Sequence, residues 1–461
     1  MEKYDLVVIG AGPAGMRAAL EAKRYGLRTL IIDEQAAPGG QIYRNILHAD
    51  QHVRRMLGPD YQDGIKLAQE LMASPVHRSF ETTVWDISTD LVVTMLSGGA
   101  TRCVHAKQII AATGAMERAT PLTGWTLPGV LTAGAAQIAL KADASIPSGQ
   151  VVLAGCGPLL LLVAQQLLIA GAKVAAVVET SPGNNRSLAT RYLPSALRAP
   201  GYLAKGVVLM SSLAFHRIPW FRRARNVEVL GDDRAVAVRF SAGKVTREIA
   251  ADTVLLHHGV VPNHQISRLM RVEHQWAERQ RAWRVVCDDY GQTSVPGFRV
   301  AGDGIAIAGA KAAEKSGALA ALGAAHALEF LSKAQLHDLA QPWKKALQTQ
   351  LAIRPFLDSL YRPPDWICAP GDNIMVCRCE CVTAGEIRQM ADIGCVGPNQ
   401  TKFFSRCGMG PCQGRLCGGV VSQILSERLG RQVDEIGSYR IRPPLKPVTI
   451  QAIANYSDPD L

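Results

Sequence analysis

The chain has 461 residues, and its 50 Lys and Arg against 39 Asp and Glu give a formal net charge of +11. A hydrophobic fraction of 48% and a charged fraction of 19% exclude a disordered chain, a fibrous repeat and a small disulfide scaffold. The length predicts about three structural units. Because the basic residues are spread along the chain, they favour solubility or an acidic partner over nucleic acid.

The amino terminus has no basic region, apolar core or cleavage site of a secretory signal. The longest uncharged stretch, residues 144–172, is interrupted by glycines, Pro147 and a Gln pair. It therefore predicts a strand, a turn and a buried helix rather than a membrane span. We expect a cytoplasmic, reducing compartment, where clustered cysteines are metal ligands before they are disulfides.

Two βαβ units follow from the apolar runs and glycine-rich turns. The first has strands at 6–9 and 29–32, a turn at 10–15 and a helix to about Tyr25. The second has strands at 151–154 and 173–178, a turn at 155–157 and a helix to about Ala170. Further strands are predicted at 108–112, 253–256 and 298–301, and an Ala/Gly-rich helix at about 310–331.

The first turn has the spacing of a dinucleotide fingerprint, with Gly10, Gly12 and Gly15 between a strand and a helix. Such glycines let the backbone approach a pyrophosphate, whose charge lies at the positive end of the helix. Asp33 ends the next strand and is expected to bind a ribose hydroxyl, with Glu34 beside it.

Four motifs in order resemble the two-dinucleotide-binding-domain flavoproteins with the FAD/NAD-linked disulfide-reductase fold. They are the turn at 10–15, Pro-Gly-Gly-Gln at 38–41, Ile-Ile-Ala-Ala-Thr-Gly at 109–114 and the segment 293–303 ending in Ala-Gly-Asp. The resemblance implies an α/β fold in which an FAD domain contains an inserted Rossmann-like domain. It implies FAD contacts from Gly10, Gly12, Pro13, Ala14, Gly15, Asp33, Glu34, Gly40, Gln41, Arg44, Val84, Thr113, Gly114, Gly302 and Asp303.

The second fingerprint is incomplete. Gly155 and Gly157 match it, Glu179 ends the following strand, and Leu160 stands where the third glycine is expected. The domain either binds a nicotinamide nucleotide, NAD rather than NADP, or keeps a Rossmann shape for architecture or another nucleotide. Disulfide reduction is not expected, because no two of the cysteines before residue 370 lie within four positions of each other.

Seven of the eleven cysteines lie between Cys377 and Cys417. A [2Fe-2S] cluster needs four thiolates, and a structural zinc site is the alternative. The segment resembles the bacterioferritin-associated-ferredoxin-like domain, which implies a [2Fe-2S] cluster on Cys377, Cys379, Cys412 and Cys417. Cys407 is the rival ligand, and Cys381 and Cys395 are expected to pack as small hydrophobic side chains.

The whole chain resembles the α subunits of heteromeric FAD-dependent amine dehydrogenases, such as octopine and nopaline dehydrogenase, D-hydroxyproline dehydrogenase and hydrogen cyanide synthase. The resemblance implies an electron-transfer subunit whose partner β subunit carries the FAD that oxidises the C–N bond of an amino acid or opine. It also implies an FMN that can sit at the α/β interface, together with a small ferredoxin-like subunit. The alternatives are a self-contained NADH-dependent reductase that passes electrons to a protein or quinone acceptor, and a scaffold without turnover.

The predicted division is an FAD domain at 1–145 and 266–332, a Rossmann-like domain at 146–265, a linker at 333–370, a [2Fe-2S] domain at 371–432 and a tail at 433–461. No catalytic residue is assigned, since His257 and His258 are expected to be a satisfied pair at a strand end. Residues 180–227 contain eight cations and no Asp or Glu. This segment is a solvated face, a docking face for an acidic subunit or a phosphate site; without a recognised module it does not predict nucleic-acid binding.

Overall fold

The structure, a computed structural model, describes residues 1–456. Its first domain begins with the βαβ unit that the glycine-rich turn predicts. The elements of this part are β1 (Glu2–Ile9), α1 (Pro13–Arg24), β2 (Thr29–Ile32), α2 (Gln51–Leu57), α3 (Pro59–Gln62), α4 (Gly64–Ala73), β3 (His77–Ser79), β4 (Thr82–Ile87), β5 (Val92–Ser97), β6 (Ala100–Ala111) and β7 (Ala115–Glu117).

The sheet of this domain has the strand order β3–β2–β1–β6–β5–β4. β1 pairs in parallel with β2 and β6, so that Leu6 lies opposite Thr29 on one side and Gln108 on the other. β2 is buried along its whole length, which explains its continuous apolar sequence. β6 begins at Ala100, well before the predicted strand at 108–112, because its polar first half pairs antiparallel with β5.

A second domain interrupts the first. Its elements are β8 (Val130–Thr132), α5 (Ala133–Asp143), β9 (Gln150–Cys156), α6 (Pro158–Ile169), β10 (Lys173–Glu179), α7 (Asn185–Thr190), α8 (Leu193–Ala196), α9 (Pro200–Phe215), β11 (Trp220–Phe221), β12 (Arg225–Leu230), β13 (Ala237–Ala242), β14 (Val245–Ala250) and β15 (Thr253–His258). Five of them form a parallel sheet in the order β11–β10–β9–β15–β8, and β12–β13–β14 form an antiparallel sheet.

The chain then returns to the first domain. The elements are β16 (Val260–Pro262), α10 (Gln265–Leu269), β17 (His274–Ala277), β18 (Ala282–Val285), β19 (Phe298–Val300), a 3₁₀ turn (Gly302–Gly304) and α11 (Ala310–Ala327). β16 pairs with β7 where the chain crosses between the domains, and β19 pairs in parallel with the second half of β6. α11 packs so closely on α1 that a Cβ at Gly317 would lie 2.1 Å from the carbonyl oxygen of Ala14.

Residues 333–370 are packed helices, although their five prolines predict a connecting segment with only a short helix near 344–351. α12 (Lys333–Leu351) begins at a capping box of Ser332 and Gln335 and continues through Pro342. Its side chains Leu336 and Ala340 are buried against the first domain, and this packing offsets the hydrogen bond that the proline removes. α13 (Arg354–Leu360) and a 3₁₀ turn (Asp365–Ile367) then lie on the second domain.

The cysteine module contains β20 (Met375–Cys377), β21 (Val382–Thr383), α14 (Ala384–Asp392), α15 (Pro398–Ser405), α16 (Gly418–Leu429), α17 (Val433–Ile436) and α18 (Ile450–Ala454). Its core is continuous with one face of the first sheet, since Val84 and Ile109 share a buried cluster with Val376 and Val421. Residues 457–461 of the predicted tail lie outside the described residues. Within residues 1–456, no helix combines the length and apolar composition that crossing a membrane requires.

Candidate functional site: a flavin cradle and a cysteine pocket

The turn after β1 has the geometry that a pyrophosphate requires. Gly10 has a φ of +104°, and a Cβ there would lie 2.5 Å from the carbonyl oxygen of Ala112. A Cβ at Gly15 would lie 1.8 Å from the oxygen of Gly10, so α1 can approach the turn only with glycine there. α1 starts at Pro13 and has no side-chain cap at Gly12, which leaves its first N–H groups for an anion.

The acidic residues after β2 lie beside this turn. Asp33 accepts hydrogen bonds from the N–H of Ala11 at 2.6 Å and of Gln35 at 2.8 Å, and burial raises the pKa of its carboxyl group. Each carboxylate oxygen keeps a second lone pair for a ribose hydroxyl. Glu34 pairs with Lys446 of the tail. The side chain of Val84 is buried in the sheet, so a cofactor contact there would come from its main chain.

The Pro-Gly-Gly-Gln segment closes over the turn. Gly39 donates its N–H to the oxygen of Ala11 at 2.8 Å, and a Cβ at Gly40 would lie 2.9 Å from the Cα of Gly12. Arg44 donates to Oε1 of Gln41 at 3.3 Å. Its Nε is buried without a hydrogen-bond partner among residues 1–456, which fits a donor that awaits a cofactor oxygen.

Lys141 is a residue of this region that sequence reasoning missed. Its Nζ is buried and donates to the main-chain oxygen of Gln41 at 3.1 Å and to Oε1 of Gln137 at 2.9 Å. Burial, with a smaller contribution from Arg44, lowers the pKa of its amine to about 7. The only signal in the sequence is a lone lysine in the Ala-rich helix α5.

The remaining residues predicted to contact the flavin follow β6 and β19 and lie close to the first glycine turn. Thr113 donates its hydroxyl to the oxygen of Asn263 at 2.9 Å, and Gly114 has a φ of +64°. Gly302 has a φ of +69°, and a Cβ there would lie 2.8 Å from the Cβ of Ala14. These contacts place the segments 111–114 and 302–304 around the amino terminus of α1.

Asp303 orders the start of α11. Its Oδ1 accepts the N–H groups of Ala308 at 2.8 Å and Gly309 at 2.9 Å. Its Oδ2 accepts no hydrogen bond within the described chain and is available to a hydroxyl of the cofactor. The segments 10–15, 33–44, 111–114 and 302–309 thus form one concave surface, called the flavin cradle below, whose glycines, free helix N–H groups and carboxylates fit FAD.

The second glycine turn keeps the backbone conformation of a nucleotide-binding turn, but other parts of the chain occupy the space where a nucleotide would lie. Gly155 and Gly157 have φ values of +147° and +123°, while Leu160 is buried in the core of this domain. The linker lies over the carboxyl ends of the strands, where a nucleotide would bind. The Cys156 thiol donates to the oxygen of Tyr361 at 3.7 Å, and Asn185 donates to the oxygens of Leu360 and Arg362 at 3.3 and 2.9 Å.

The histidine pair at the end of β15 is satisfied, as expected. Nδ1 of His257 lies 2.9 Å from a carboxylate oxygen of Glu117. His258 is fully buried, and its nitrogens lie 3.2 Å from the hydroxyl of Thr120 and 3.0 Å from that of Thr180. Burial lowers the pKa of His258 to about 3. These contacts support the interpretation of the pair as structural.

Five cysteines of the cysteine module form a group of three and a pair, and we call the two together the cysteine pocket. The sulfurs of Cys377, Cys407 and Cys417 all lie within 4.8 Å of one another. The sulfurs of Cys379 and Cys412 lie 3.7 Å apart. The pocket therefore contains the four predicted ligands and also Cys407. Thiol hydrogen bonds from Cys407 and Cys417 lower the pKa of Cys377, and the same contacts with Cys377 raise the pKa of Cys407 and Cys417, so these three sulfurs favour a single thiolate at Cys377.

Glycines allow the cysteine segments to approach. A Cβ at Gly410 would lie 2.2 Å from the Cβ of Cys379. Cβ atoms at Gly408 and Gly414 would lie 2.6 and 2.3 Å from ring atoms of Tyr439. Tyr439 is buried against the pocket and was missed from the sequence, where nothing distinguishes it from other tail residues.

The two remaining cysteines of the module lie outside the pocket. Cys395 is buried, as predicted for a small hydrophobic side chain. The same prediction is wrong for Cys381, which is exposed. Cys381 has a φ of +53°, so it occupies the tight turn between β20 and β21, where its side chain points away from the core.

Two parts of the chain match known families. Residues 4–317 match the family described as pyridine nucleotide-disulphide oxidoreductase, and residues 374–456 match the sarcosine oxidase A3 domain. The A subunit of opine oxidase from Agrobacterium tumefaciens (strain Ach5) is 43% identical, over 98% of this chain and 92% of that protein. The HcnB subunit of hydrogen cyanide synthase from Pseudomonas aeruginosa is 30% identical, over 97% of this chain and 98% of that protein.

Solved structures agree on the fold. L-Proline dehydrogenase from P. horikoshii superimposes with a TM-score of 0.71 at 20% identity, over 98% of this chain and 80% of that chain. The predicted fold class is confirmed, and the family implies that the cradle binds FAD. The chain is therefore an oxidoreductase of the pyridine nucleotide-disulphide oxidoreductase family and belongs to the group that includes the opine oxidase A subunits and the HcnB subunits of hydrogen cyanide synthase.

Proposed function

We propose that this chain is the electron-transfer α subunit of a multi-subunit FAD-dependent dehydrogenase that oxidises the C–N bond of an opine or a D-hydroxyproline-type amino acid. The substrate is oxidised on a partner β subunit. The observation that carries the proposal is the shared core: Val300, beside the flavin cradle, lies in one buried cluster with Cys377 and Cys407 of the cysteine pocket. A common core holds two redox sites at a fixed separation, which an electron relay requires.

The side chains near the cradle support a relay rather than a substrate site. Asp303 is engaged in capping α11, and His257 is engaged with Glu117. Lys141 is covered by the main chain of Gln41. We therefore assign no catalytic residue in this chain. The substrate class comes from the relatives named as opine oxidase A subunits, which are similar over nearly their whole length.

The cysteine pocket fits a [2Fe-2S] cluster, in which each iron takes two thiolates. We assign Cys379 and Cys412 to one iron, because their sulfurs are adjacent. We assign Cys377 and Cys417 to the other, with Cys407 as the alternative thiolate from the same group of three. When bound, such a cluster transfers single electrons. The residues of the pocket hold thiolates in place and, through Tyr439, exclude water from one side.

Partner subunits are part of the proposal. The relatives are named as subunits, which supports a multi-subunit complex. We propose that this complex contains an FAD-binding β subunit, a small ferredoxin-like subunit, and an FMN at the α/β interface. The cysteine module offers a contact surface on α15, where Phe403 and Phe404 are 74% and 61% exposed. We propose a reducing, cytoplasmic compartment, in which the thiols of the cysteine pocket are available to bind a metal.

A self-contained NADH-dependent reductase is the second candidate. It is favoured by the preserved conformation of Gly155 and Gly157 and by Glu179, whose buried Oε2 has no hydrogen-bond partner within residues 1–456. It is opposed by the linker over the carboxyl ends of β9 and β10. The ring of Trp366 also packs edge-on against His258, with centroids 5.5 Å apart. A nicotinamide ring would have to displace these contacts.

An anaerobic titration of the purified chain separates the two candidates. If the chain is a relay, NADH leaves the flavin and cluster absorbance unchanged, while dithionite bleaches both. Adding an opine together with the β subunit should then bleach them without dithionite. Bleaching by NADH alone within seconds would overturn the relay in favour of the reductase, and a chain that lacks iron after anaerobic purification would overturn the cluster.

A further inference from the structure

A cavity of about 110 Å³ lies where three parts of the chain meet. Its walls come from the first domain within residues 116–119 and 261–283, from the linker at residues 367–368, and from the cysteine module within residues 413–423 and 438–441. A cavity of about 150 Å³ holds benzene, so this one fits a molecule of about four to six non-hydrogen atoms. FAD and FMN are much larger than this.

Arg268 lines the cavity and has no acidic partner. Its guanidinium forms no ion pair or hydrogen bond with the rest of residues 1–456, and it lies over the ring of Trp283, 5.1 Å from the centroid. Burial lowers the pKa of this guanidinium to about 10. Glu117 is the one carboxylate that the described chain places in the cavity wall, and it is engaged with His257 and with the N–H of Gly134. A cation withdrawn from water without a counter-ion is costly, so the cavity favours an anion.

Other polar atoms of the lining residues also lack a partner. Nε2 of His264, Oε1 of Gln265 and Nε1 of Trp283 are buried and form no hydrogen bond within the part of the chain that the structure describes. The Nε atoms of Arg281 and Arg415 are in the same state. Because buried polar atoms are normally hydrogen-bonded, five such atoms around one cavity mark the position of a polar ligand.

We propose that this cavity binds a small organic carboxylate, with Arg268 as the residue that pairs with its charge. A guanidinium offers two parallel N–H groups that match the two oxygens of a carboxylate. The indole N–H of Trp283 is a further donor, and Pro262, Val420 and Ile441 give the rest of the molecule an apolar wall. Binding of the carboxylate does not depend on the relay function.

The composition of the wall selects a carboxylate over inorganic phosphate. Phosphate accepts hydrogen bonds at every oxygen, whereas this cavity combines one unpaired cation with apolar side chains. A carboxylate has its charge at one end and an apolar body at the other, which matches this arrangement. Small α-amino acids and small 2-oxo acids share this chemistry, and the experiment below separates them.

The cavity lies between the flavin cradle and the cysteine pocket. His264 lines it, and the main-chain oxygen of the preceding Asn263 accepts the hydroxyl of Thr113 in the cradle at 2.9 Å. On the other side Tyr439 lines the cavity and contacts Cys407 of the cysteine pocket. A bound carboxylate places a negative charge close to both redox sites. It should therefore lower their reduction potentials, because it repels an added electron.

Calorimetric titration of the purified full-length chain with pyruvate, L-alanine and inorganic phosphate tests the proposal. We expect pyruvate or alanine to bind, and the one that binds more tightly identifies a 2-oxo acid or an amino acid as the occupant. Arg268→Gln should weaken this binding by about tenfold or more, because it removes the charge that pairs with the carboxylate. Arg268→Lys should restore part of the affinity. Arg284→Gln, at an exposed arginine beside Trp283 in β18, is the matched control and should bind as the parent chain does.

A second variant fills the cavity and leaves its charge unchanged. Gly419 lines the cavity, and no atom lies within 4 Å of a Cβ added there, so Gly419→Leu should fold and keep its flavin but lose the binding heat. Saturating pyruvate or alanine should lower the reduction potential of the flavin in the parent chain and not in Gly419→Leu. Absence of binding by both acids, binding of phosphate alone, or full affinity in Arg268→Gln would overturn the proposal.

Discussion

The sulfurs of Cys379 and Cys412 lie 3.7 Å apart although 33 positions separate the two residues in the chain. The approach depends on Gly410, where any side chain would collide with Cys379. Three other thiols of the module, those of Cys377, Cys407 and Cys417, lie within 4.8 Å of one another. The pocket thus offers one more thiol than a [2Fe-2S] cluster uses.

Replacing Cys412 and Cys417 with Ser should abolish bound iron, because each proposed iron then loses one of its two thiolates. Iron content per chain and visible absorbance after anaerobic purification measure the effect. Cys395→Ser, at a buried cysteine outside the pocket, should keep full iron. Iron retained by the double variant would contradict the proposed ligands.

Cys407→Ser should keep its iron if Cys377 and Cys417 are the ligands of the second iron. Loss of iron from Cys407→Ser, together with retention in Cys417→Ser, would instead make Cys407 the ligand. Electron paramagnetic resonance of the reduced variants distinguishes the two ligand sets, since a serine ligand changes the g-values and a serine beside the cluster does not.

Asp303→Ala should lower the ratio of FAD to protein, because it removes both the free Oδ2 and the acceptor for the N–H groups of Ala308 and Gly309. Loss of the acceptor alone should cost about 1 kcal/mol of unfolding free energy. Asp303→Asn keeps an acceptor for these N–H groups and should restore most of the thermal stability but less of the FAD. Full flavin occupancy in Asp303→Ala would disprove this role.

Gly15→Ala should lose FAD and destabilise the chain by on the order of 3 kcal/mol or more, since its Cβ would overlap the oxygen of Gly10. Gly201→Ala is the matched control, also a glycine in the first turn of a helix. Nothing lies within 4 Å of its added Cβ, so it should stabilise α9 by about 0.5–1 kcal/mol. Urea unfolding and flavin absorbance measure both, and equal behaviour of the two variants would refute the packing argument.

The buried amine of Lys141 should make stability depend on pH. Its pKa is about 7 in the folded chain against the ordinary 10.5, so between these values the unfolded chain binds a proton that the folded chain does not. The free energy of unfolding should therefore rise with pH across this window. Lys141→Met should reduce this increase of the unfolding free energy with pH. Lys173→Met, at an exposed lysine, should leave the increase unchanged. An unchanged slope in Lys141→Met would show that other groups cause it.

Local signals were enough to predict the first βαβ unit, whereas the other segments of the flavin cradle were expected from the resemblance to flavoproteins. The apolar strand, the glycine turn and the start of α1 follow from spacing alone, and β2 occupies the predicted residues 29–32. α12 was predicted too short because Pro342 is a helix-breaking signal, whereas burial of Leu336 and Ala340 keeps the helix intact. The first half of β6 was missed because its sequence is polar and gains its order from β5.

Residues whose importance comes from tertiary contacts could not be predicted. Lys141 differs from other lysines only because the packing of α5 buries its amine, which donates a hydrogen bond to the main-chain oxygen of Gln41. Tyr439 covers the cysteine pocket from a segment that looks like an irregular tail. The linker covers the second glycine turn through the main-chain oxygen of Tyr361, which accepts a hydrogen bond from the Cys156 thiol. A main-chain contact of this kind leaves no pattern of side chains in the sequence.

The pairing of Glu34 with Lys446 links the beginning of the chain to its end. Leu445 adds a main-chain hydrogen bond to the oxygen of Trp85 at 2.7 Å, and the hydroxyl of Thr101 bonds to the oxygen of Ala452. During synthesis, these contacts to the flavin domain can form only after residues 445–452 have left the ribosome. The edge of the cradle at Glu34 therefore gains its partner late, and a chain truncated before residue 445 should lack all three contacts.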